Sequence, residues 1–104
     1  MNISGKTFIV TGASSGIGEV LSKKLAKKEA QIICASRNLD KLNRVVDAIK
    51  IQGGTAISVQ TDITQVDQCQ LLVEKTISRF GKLDALVLNA GISMWTPFES
   101  LNDV

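Results

Sequence analysis

The chain has 104 residues, room for one small domain, and with 44% hydrophobic and 21% charged residues it suits a folded globular chain and not a disordered one. A net charge of +2, from 12 basic and 10 acidic residues, gives no reason to expect nucleic acid as a main partner. The absence of histidine removes the commonest metal ligand and proton shuttle, and no metal site is expected.

The start, Met1-Asn2-Ile3-Ser4-Gly5-Lys6, has no signal-peptide hydrophobic region, and no apolar stretch nears membrane-spanning length, so the cytoplasm is the expected compartment. Thr7-Phe8-Ile9-Val10 is an apolar run that predicts a buried strand. A glycine-rich turn follows, then a helix with Ile17, Val20, Leu21 and Leu25 on one face and the lysines 23, 24, 27 and 28 on a solvated one. Gln31-Ile32-Ile33-Cys34-Ala35-Ser36 predicts a second buried strand, ended by Arg37-Asn38. The next helix carries Leu39, Leu42, Val45, Val46 and Ile49 on one face, and Gly53-Gly54 stops it.

Thr55-Ala56-Ile57-Ser58-Val59-Gln60 is less apolar, as expected of a strand nearer a sheet edge, and Thr61-Asp62-Ile63-Thr64 forms the turn after it. A third helix places Val66, Cys69, Val73, Ile77 and Phe80 at helical spacing and ends at Gly81. Leu83 to Asn89 predicts a fourth strand, and Ala90-Gly91 punctuates its end. From Ile92 to Pro97 the pattern is loop-like, and Ser100 to Asp103 has capping-box spacing. Cys34 and Cys69 lie on apolar positions and read as reduced packing residues.

Alternating strands and helices with continuously apolar strands predict a parallel sheet covered on both faces. The turn Thr11-Gly12-Ala13-Ser14-Ser15-Gly16-Ile17-Gly18 is where a ligand is expected. Glycines 12, 16 and 18 allow unusual dihedrals and close approach to the backbone, and the helix behind them points unpaired N–H groups and its positive dipole end into the turn. A nucleotide pyrophosphate is the usual anion for such a cradle.

The spacing T-G-x-x-x-G-x-G, the Asp62 turn, and Asn89-Ala90-Gly91, in this order over essentially the whole chain, resemble the short-chain dehydrogenase/reductase family. The resemblance implies a Rossmann-type α/β fold, strand order 3-2-1-4 with helices on both faces, and the chain is expected to be truncated after the fourth strand. It implies that Gly12, Gly16 and Gly18 shape the turn while Ser14, Ser15 and Ile17 place donors near the phosphates. Asp62 would accept a hydrogen bond from the adenine amino group, with Ile63 alongside; a second role for Asp62 is an N-cap-like one for the third helix. Asn89, Ala90 and Gly91 would wall the ribose side, although Leu88 stands where the family often has a first asparagine. At the end of the second strand an NAD enzyme places a carboxylate on the ribose hydroxyls, whereas this chain has Ser36-Arg37, which can hydrogen-bond a 2′-phosphate. NADP(H) is therefore expected over NAD(H), tempered by Ser15, where NADP-preferring relatives often carry a second basic residue. Met94 and Trp95 fall where the family borders nicotinamide and substrate, and fit ordinary loop packing equally well.

The family's hydride-transfer chemistry uses serine, tyrosine and lysine, the latter two as Y-x-x-x-K, and an asparagine on the helix after strand four. The chain contains no tyrosine and ends before these positions, so no catalytic residue is assigned and the 104 residues alone are expected to be inactive. The first reading is the N-terminal NADP(H)-binding portion of an oxidoreductase whose intact relative interconverts a small-molecule alcohol and carbonyl. The alternative is a non-catalytic dinucleotide-binding or interaction module that self-associates through an exposed sheet edge. A nucleotide kinase is disfavoured because G-x-x-x-x-G-K-[ST] is absent.

Overall fold

Each central strand is apolar along its whole length because both of its faces are covered, as the computed structural model of the chain makes explicit. It describes residues 2–14 and 16–89. The elements run β1 (Thr7–Thr11), α1 (Gly16–Lys27), β2 (Gln31–Ser36), α2 (Leu39–Ile51), β3 (Thr55–Gln60), α3 (Val66–Phe80) and β4 (Ala85–Val87). The strands form one sheet in the order β3-β2-β1-β4. All pairs are parallel, with Ile9 opposite Ile33 and Leu86, and Ile33 opposite Ile57.

Alternate residues of each strand serve opposite cores. Val10, Ile32, Cys34 and Ala56 point to the face covered by α1 and α2, where they meet Ala26, Leu42, Val45, Val46 and Ile49. Ile9, Ile33, Ala35 and Val59 point the other way, toward Leu72 of α3. The right-handed crossover rule accounts for this: β1 to β3 progress in one direction, and the connection to β4 reverses it. Burial pushes the Cys34 thiol up to about 11, which leaves it a neutral packing group; the Ser22 hydroxyl opposes that rise only partly.

Two helices depart from the faces expected of them. On α1 the buried line is Gly18, Ser22 and Ala26, while Ile17 is 76% exposed and Val20 is also exposed. Small residues occupy the buried line because this helix sits against backbone: a Cβ on Gly18 would overlap the Gly12 carbonyl oxygen. The Ser22 hydroxyl satisfies itself by donating to the Gly18 carbonyl at 2.8 Å. On α3 the buried residues are Leu72 and Thr76. Of the expected stripe, Val66, Val73 and Ile77 are exposed, displaced at 3.6 residues per turn by roughly a quarter of a turn from the buried line, whereas Cys69 is half-buried and Phe80 packs against the core. Apolar spacing identified the helix and misplaced the side that meets the sheet. Leu86 of β4 is exposed as well, in line with an incompletely covered face.

The helix ends follow their residues closely. Asn38 caps α2, its Oδ1 accepting from the Lys41 N–H at 3.1 Å, and Gly53 leaves the helix with φ +87°. Gly81 ends α3 in the left-handed conformation and donates its N–H to the Ile77 carbonyl.

The fourth strand spans only Ala85–Val87, shorter than the expected 83–89, and side chains fasten both its ends to β1. At the entry, Asp84 Oδ2 accepts from the Thr7 N–H at 2.8 Å, and the Asp84 N–H donates to the Thr7 carbonyl at 2.9 Å. The Thr7 N–H holds the Asp84 carboxyl below its ordinary 3.8, and Lys82, 3.3 Å away, adds to the effect. A carboxyl with a depressed folded pKa binds fewer protons folded than unfolded, so its stabilisation is complete above the unfolded value and fades as pH falls through the folded one. The folded protein is therefore expected to lose stability below about pH 4, and Asp84→Asn to flatten that acid limb. Melting curves of the full-length protein between pH 5 and 2.5 measure it; an unchanged limb in the variant would remove Asp84 from the account.

Candidate functional site

The carboxyl ends of all four strands open on one cleft, lined by Gly12, Ser14, Ser36, Arg37, Asn38, Thr61, Asp62, Ile63, Thr64 and Asn89. An open parallel sheet binds its ligands there, where the strand order reverses between β1 and its two neighbours.

The glycines shape the floor for two different reasons. Gly12 has φ +62°, and a Cβ on it would overlap the Asn89 carbonyl oxygen. Gly18 is the helix side of the same junction, where a Cβ would stand 2.9 Å from Asn89 Nδ2 besides overlapping Gly12. Gly16 has φ +60°, yet a Cβ there would meet nothing within 4 Å. Gly12 and Gly18 thus let β1, α1 and the end of β4 converge, while Gly16 makes the turn and leaves open space at the start of α1. The first N–H groups of that helix have no partner within it. A nucleotide phosphate fits this cradle by charge and by the room left at Gly16.

Thr11 sets the position of Asn89. Its hydroxyl donates to the Val87 carbonyl at 3.3 Å and accepts from the Asn89 N–H at 2.9 Å. At the end of β2, Ser36 Oγ accepts from the Asn38 N–H at 3.2 Å, and the Arg37 carbonyl accepts from Gln60 Nε2 at 3.0 Å. The Arg37 side chain is exposed, and among the described residues the ion pairs are Lys23–Glu19 and Lys82–Asp84, so its guanidinium remains available to an anion.

At the end of β3, Asp62 Oδ1 accepts from the Thr64 hydroxyl at 2.7 Å and from the Thr64 N–H at 3.0 Å. These two bonds hold the Asp62 carboxyl below its ordinary 3.8, with a smaller pull from the Arg37 charge. Asp62 therefore closes its own turn and is not the N-cap of α3: that position is Gln65, which makes no side-chain cap. Gln68 Oε1 accepts from the Asp62 N–H at 2.7 Å and ties the turn to α3.

Gly12, Ser14, Arg37, Asp62, Ile63 and Asn89 line the cleft together, and Gly16, Ile17 and Gly18 form the start of α1 beside it. Ser15, Ala90 and Gly91, the loop with Met94 and Trp95, and the capping-box stretch lie outside the described residues. Sequence reasoning did not assign Asn38, Thr61 or Thr64 to the cleft, nor the strut role of Thr11. Asn38 had a usable signal, an asparagine three residues before Lys41 at a helix start; Thr64 had another, the D-x-T spacing of an Asx turn. Among the described residues, no group of three His, Cys, Asp or Glu is arranged to hold a metal ion.

The family model described as short chain dehydrogenase matches residues 6–104. The chain belongs to the short-chain dehydrogenase/reductase family. An uncharacterized oxidoreductase of Listeria innocua is 45% identical over 103 residues, 99% of this chain and 42% of the relative. A hydroxysteroid dehydrogenase from Escherichia coli superposes with a TM-score of 0.85 at 34% identity, over 98% of this chain and 45% of that one. A metagenomic short-chain oxidoreductase in complex with NADP gives 0.82 at 31% identity, over 95% and 48% of the respective chains. A Burkholderia phymatum family member in complex with NAD gives 0.80 at 31% identity, over 83% and 31%. This family member thus spans less than half the length of these relatives. Its relatives bind nicotinamide dinucleotides of both kinds, and among the described residues no helix is long and apolar enough to cross a membrane.

Proposed function

We propose that these residues are the NADP(H)-binding portion of an oxidoreductase that interconverts a small-molecule alcohol and carbonyl. The cofactor would supply hydride chemistry at its nicotinamide; the residues described here bind and orient its adenosine half. The observation that carries the reading is the end of β2, where the cleft holds Ser36, Arg37 and Asn38 and no carboxylate. A carboxylate there would repel a 2′-phosphate, whereas a guanidinium offers it a fixed charge and a planar fork. Gly12, Gly16, Gly18, Ser14, Ser15 and Ile17 would hold the pyrophosphate side, Asp62 and Ile63 the adenine, and Asn89, Ala90 and Gly91 the ribose side. The cytoplasm suits its two cysteines, neither of which is in a disulfide.

The full-length protein should bind NADPH more tightly than NADH in a fluorescence or calorimetric titration. Arg37→Glu should weaken NADPH about tenfold, close to 1.4 kcal/mol, while NADH loses little. Tighter NADH binding by the unmodified protein would overturn the cofactor assignment.

A second reading, a non-catalytic nucleotide-binding module that self-associates through its sheet edge, is favoured by the exposed Leu86 on the edge strand β4. NADPH-dependent reduction of a panel of carbonyl compounds by the full-length monomer would reject it. Cofactor binding without turnover, in a dimer that dissociates on Leu86→Lys substitution, would favour it over the first.

A further inference from the structure

A second groove adjoins the nucleotide cleft. It is bounded by Ser14, Glu19, Lys23, Lys41, Arg44 and Val45, and Ser14 belongs to both openings. The sequence explains why its far wall is basic. Leu42, Val45, Val46 and Ile49 bury one face of α2. Lys41 and Arg44, three residues apart, share an exposed flank of that helix. Lys41 is the cation of the pair nearer the cleft end, because the Asn38 cap that receives its N–H is itself a cleft residue.

The charges in the groove are unequally engaged. Lys23 is taken by Glu19 at 2.7 Å. Among the described residues neither Lys41 nor Arg44 has a carboxylate within ion-pair distance. Lys41 lines the groove and Arg37 the cleft, and the two openings share Ser14, so an anion bound where they meet has a cation on each side. Ser15, in the glycine turn, supplies no positive charge of its own.

We propose that Lys41 is a second specificity-determining cation of this protein, which grips the cofactor's 2′-phosphate together with Arg37 and Ser14. The proposal rests on the NADP(H) reading above and adds the residue that supplies the second charge. Arg37 contributes the directional fork, and Lys41 contributes a flexible point charge that reaches the phosphate from the α2 side. A 2′-phosphomonoester carries close to two negative charges at neutral pH, its second pKa lying near 6, so two cations neutralise it more fully than one. The preference for NADPH over NADH should therefore grow between about pH 5 and pH 7 and shrink with added salt.

The test uses the full-length protein in four forms: unmodified, Lys41→Met, Arg37→Met and the double substitution, each titrated with NADPH and NADH at low ionic strength. Lys41→Met should weaken NADPH about fivefold and leave NADH within about a factor of two, with a smaller salt dependence of NADPH binding. Adenosine 2′,5′-bisphosphate against 5′-AMP should repeat the pattern without the nicotinamide half. If the unmodified protein prefers NADPH, Arg37→Met removes the preference and Lys41→Met leaves it intact, the role of Lys41 is refuted and the cofactor reading survives. If the unmodified protein does not prefer NADPH, both fall. Equal weakening of NADPH and NADH by Lys41→Met would mark a structural effect on α2 and also refute the proposal.

Discussion

Gly12→Ala is expected to destabilise the full-length protein by about 4 kcal/mol and to abolish measurable cofactor binding at ordinary concentrations. Two costs combine. The first is a methyl group on a residue held at φ +62°, a left-handed conformation that costs an L-residue about 1–2 kcal/mol. The second is overlap of that methyl with the Asn89 carbonyl oxygen, which can be relieved only by moving backbone, at about 1–3 kcal/mol. Gly18 is helical and incurs only the second cost, against the Gly12 carbonyl, so Gly18→Ala should lose about 2–3 kcal/mol. Gly16 incurs only the first, and Gly16→Ala should lose about 1 kcal/mol. Against a total of about 5–15 kcal/mol for a typical domain, the first of these is a large fraction. Urea or thermal melts of the three variants give the order directly. A Gly16→Ala protein as unstable as Gly12→Ala would show that convergence of β1, α1 and β4 is not what the cradle requires.

That ordering explains how much of the site could be read from residues alone. The sheet was legible because Ile9, Val10, Ile32, Ile33, Cys34 and Ala35 are apolar at consecutive positions, a pattern only a doubly covered strand needs. The cleft was legible because its anchors are residue types with few alternatives: glycines at a turn, an arginine and an aspartate at strand ends. The faces of α1 and α3 were not, because helical spacing reports an apolar stripe without saying what lies opposite it. On α1 the contact with backbone demanded Gly18, Ser22 and Ala26, which no hydrophobicity scale marks as a buried face. On α3 the sheet is met by Leu72 and by Thr76, whose hydroxyl is satisfied by the Leu72 carbonyl at 2.8 Å and so reads as polar while being buried. The second, cap-like role offered for Asp62 fails for a related reason. Its side chain bonds Thr64 two residues on, and composition cannot separate that turn from a cap three residues later.

Thr11→Val should expose the least visible of these dependencies. The substitution keeps the shape of a side chain that is 2% exposed and removes only its oxygen. That oxygen is the link between the end of β1 and the end of β4, accepting from the Asn89 N–H and donating to the Val87 carbonyl. Losing it removes the acceptor of the Asn89 N–H and the donor to the Val87 carbonyl, at about 2 kcal/mol. A strand of three residues has little ladder to absorb the loss, and Asp84 fastens its other end to β1. The Asn89 carbonyl and amide lie against Gly12 and Gly18, so a shift of the β4 end transmits into the phosphate cradle. The expected result is therefore paired: a lower melting temperature and about tenfold weaker binding of NADPH and NADH alike, because no contact to the 2′-phosphate is touched. Thr11→Ser, which restores the hydroxyl and omits the methyl, should recover the binding and most of the stability. Recovery of neither by serine would assign Thr11 to packing, and weaker binding of NADPH alone would place its effect at the end of β2 instead of at Asn89.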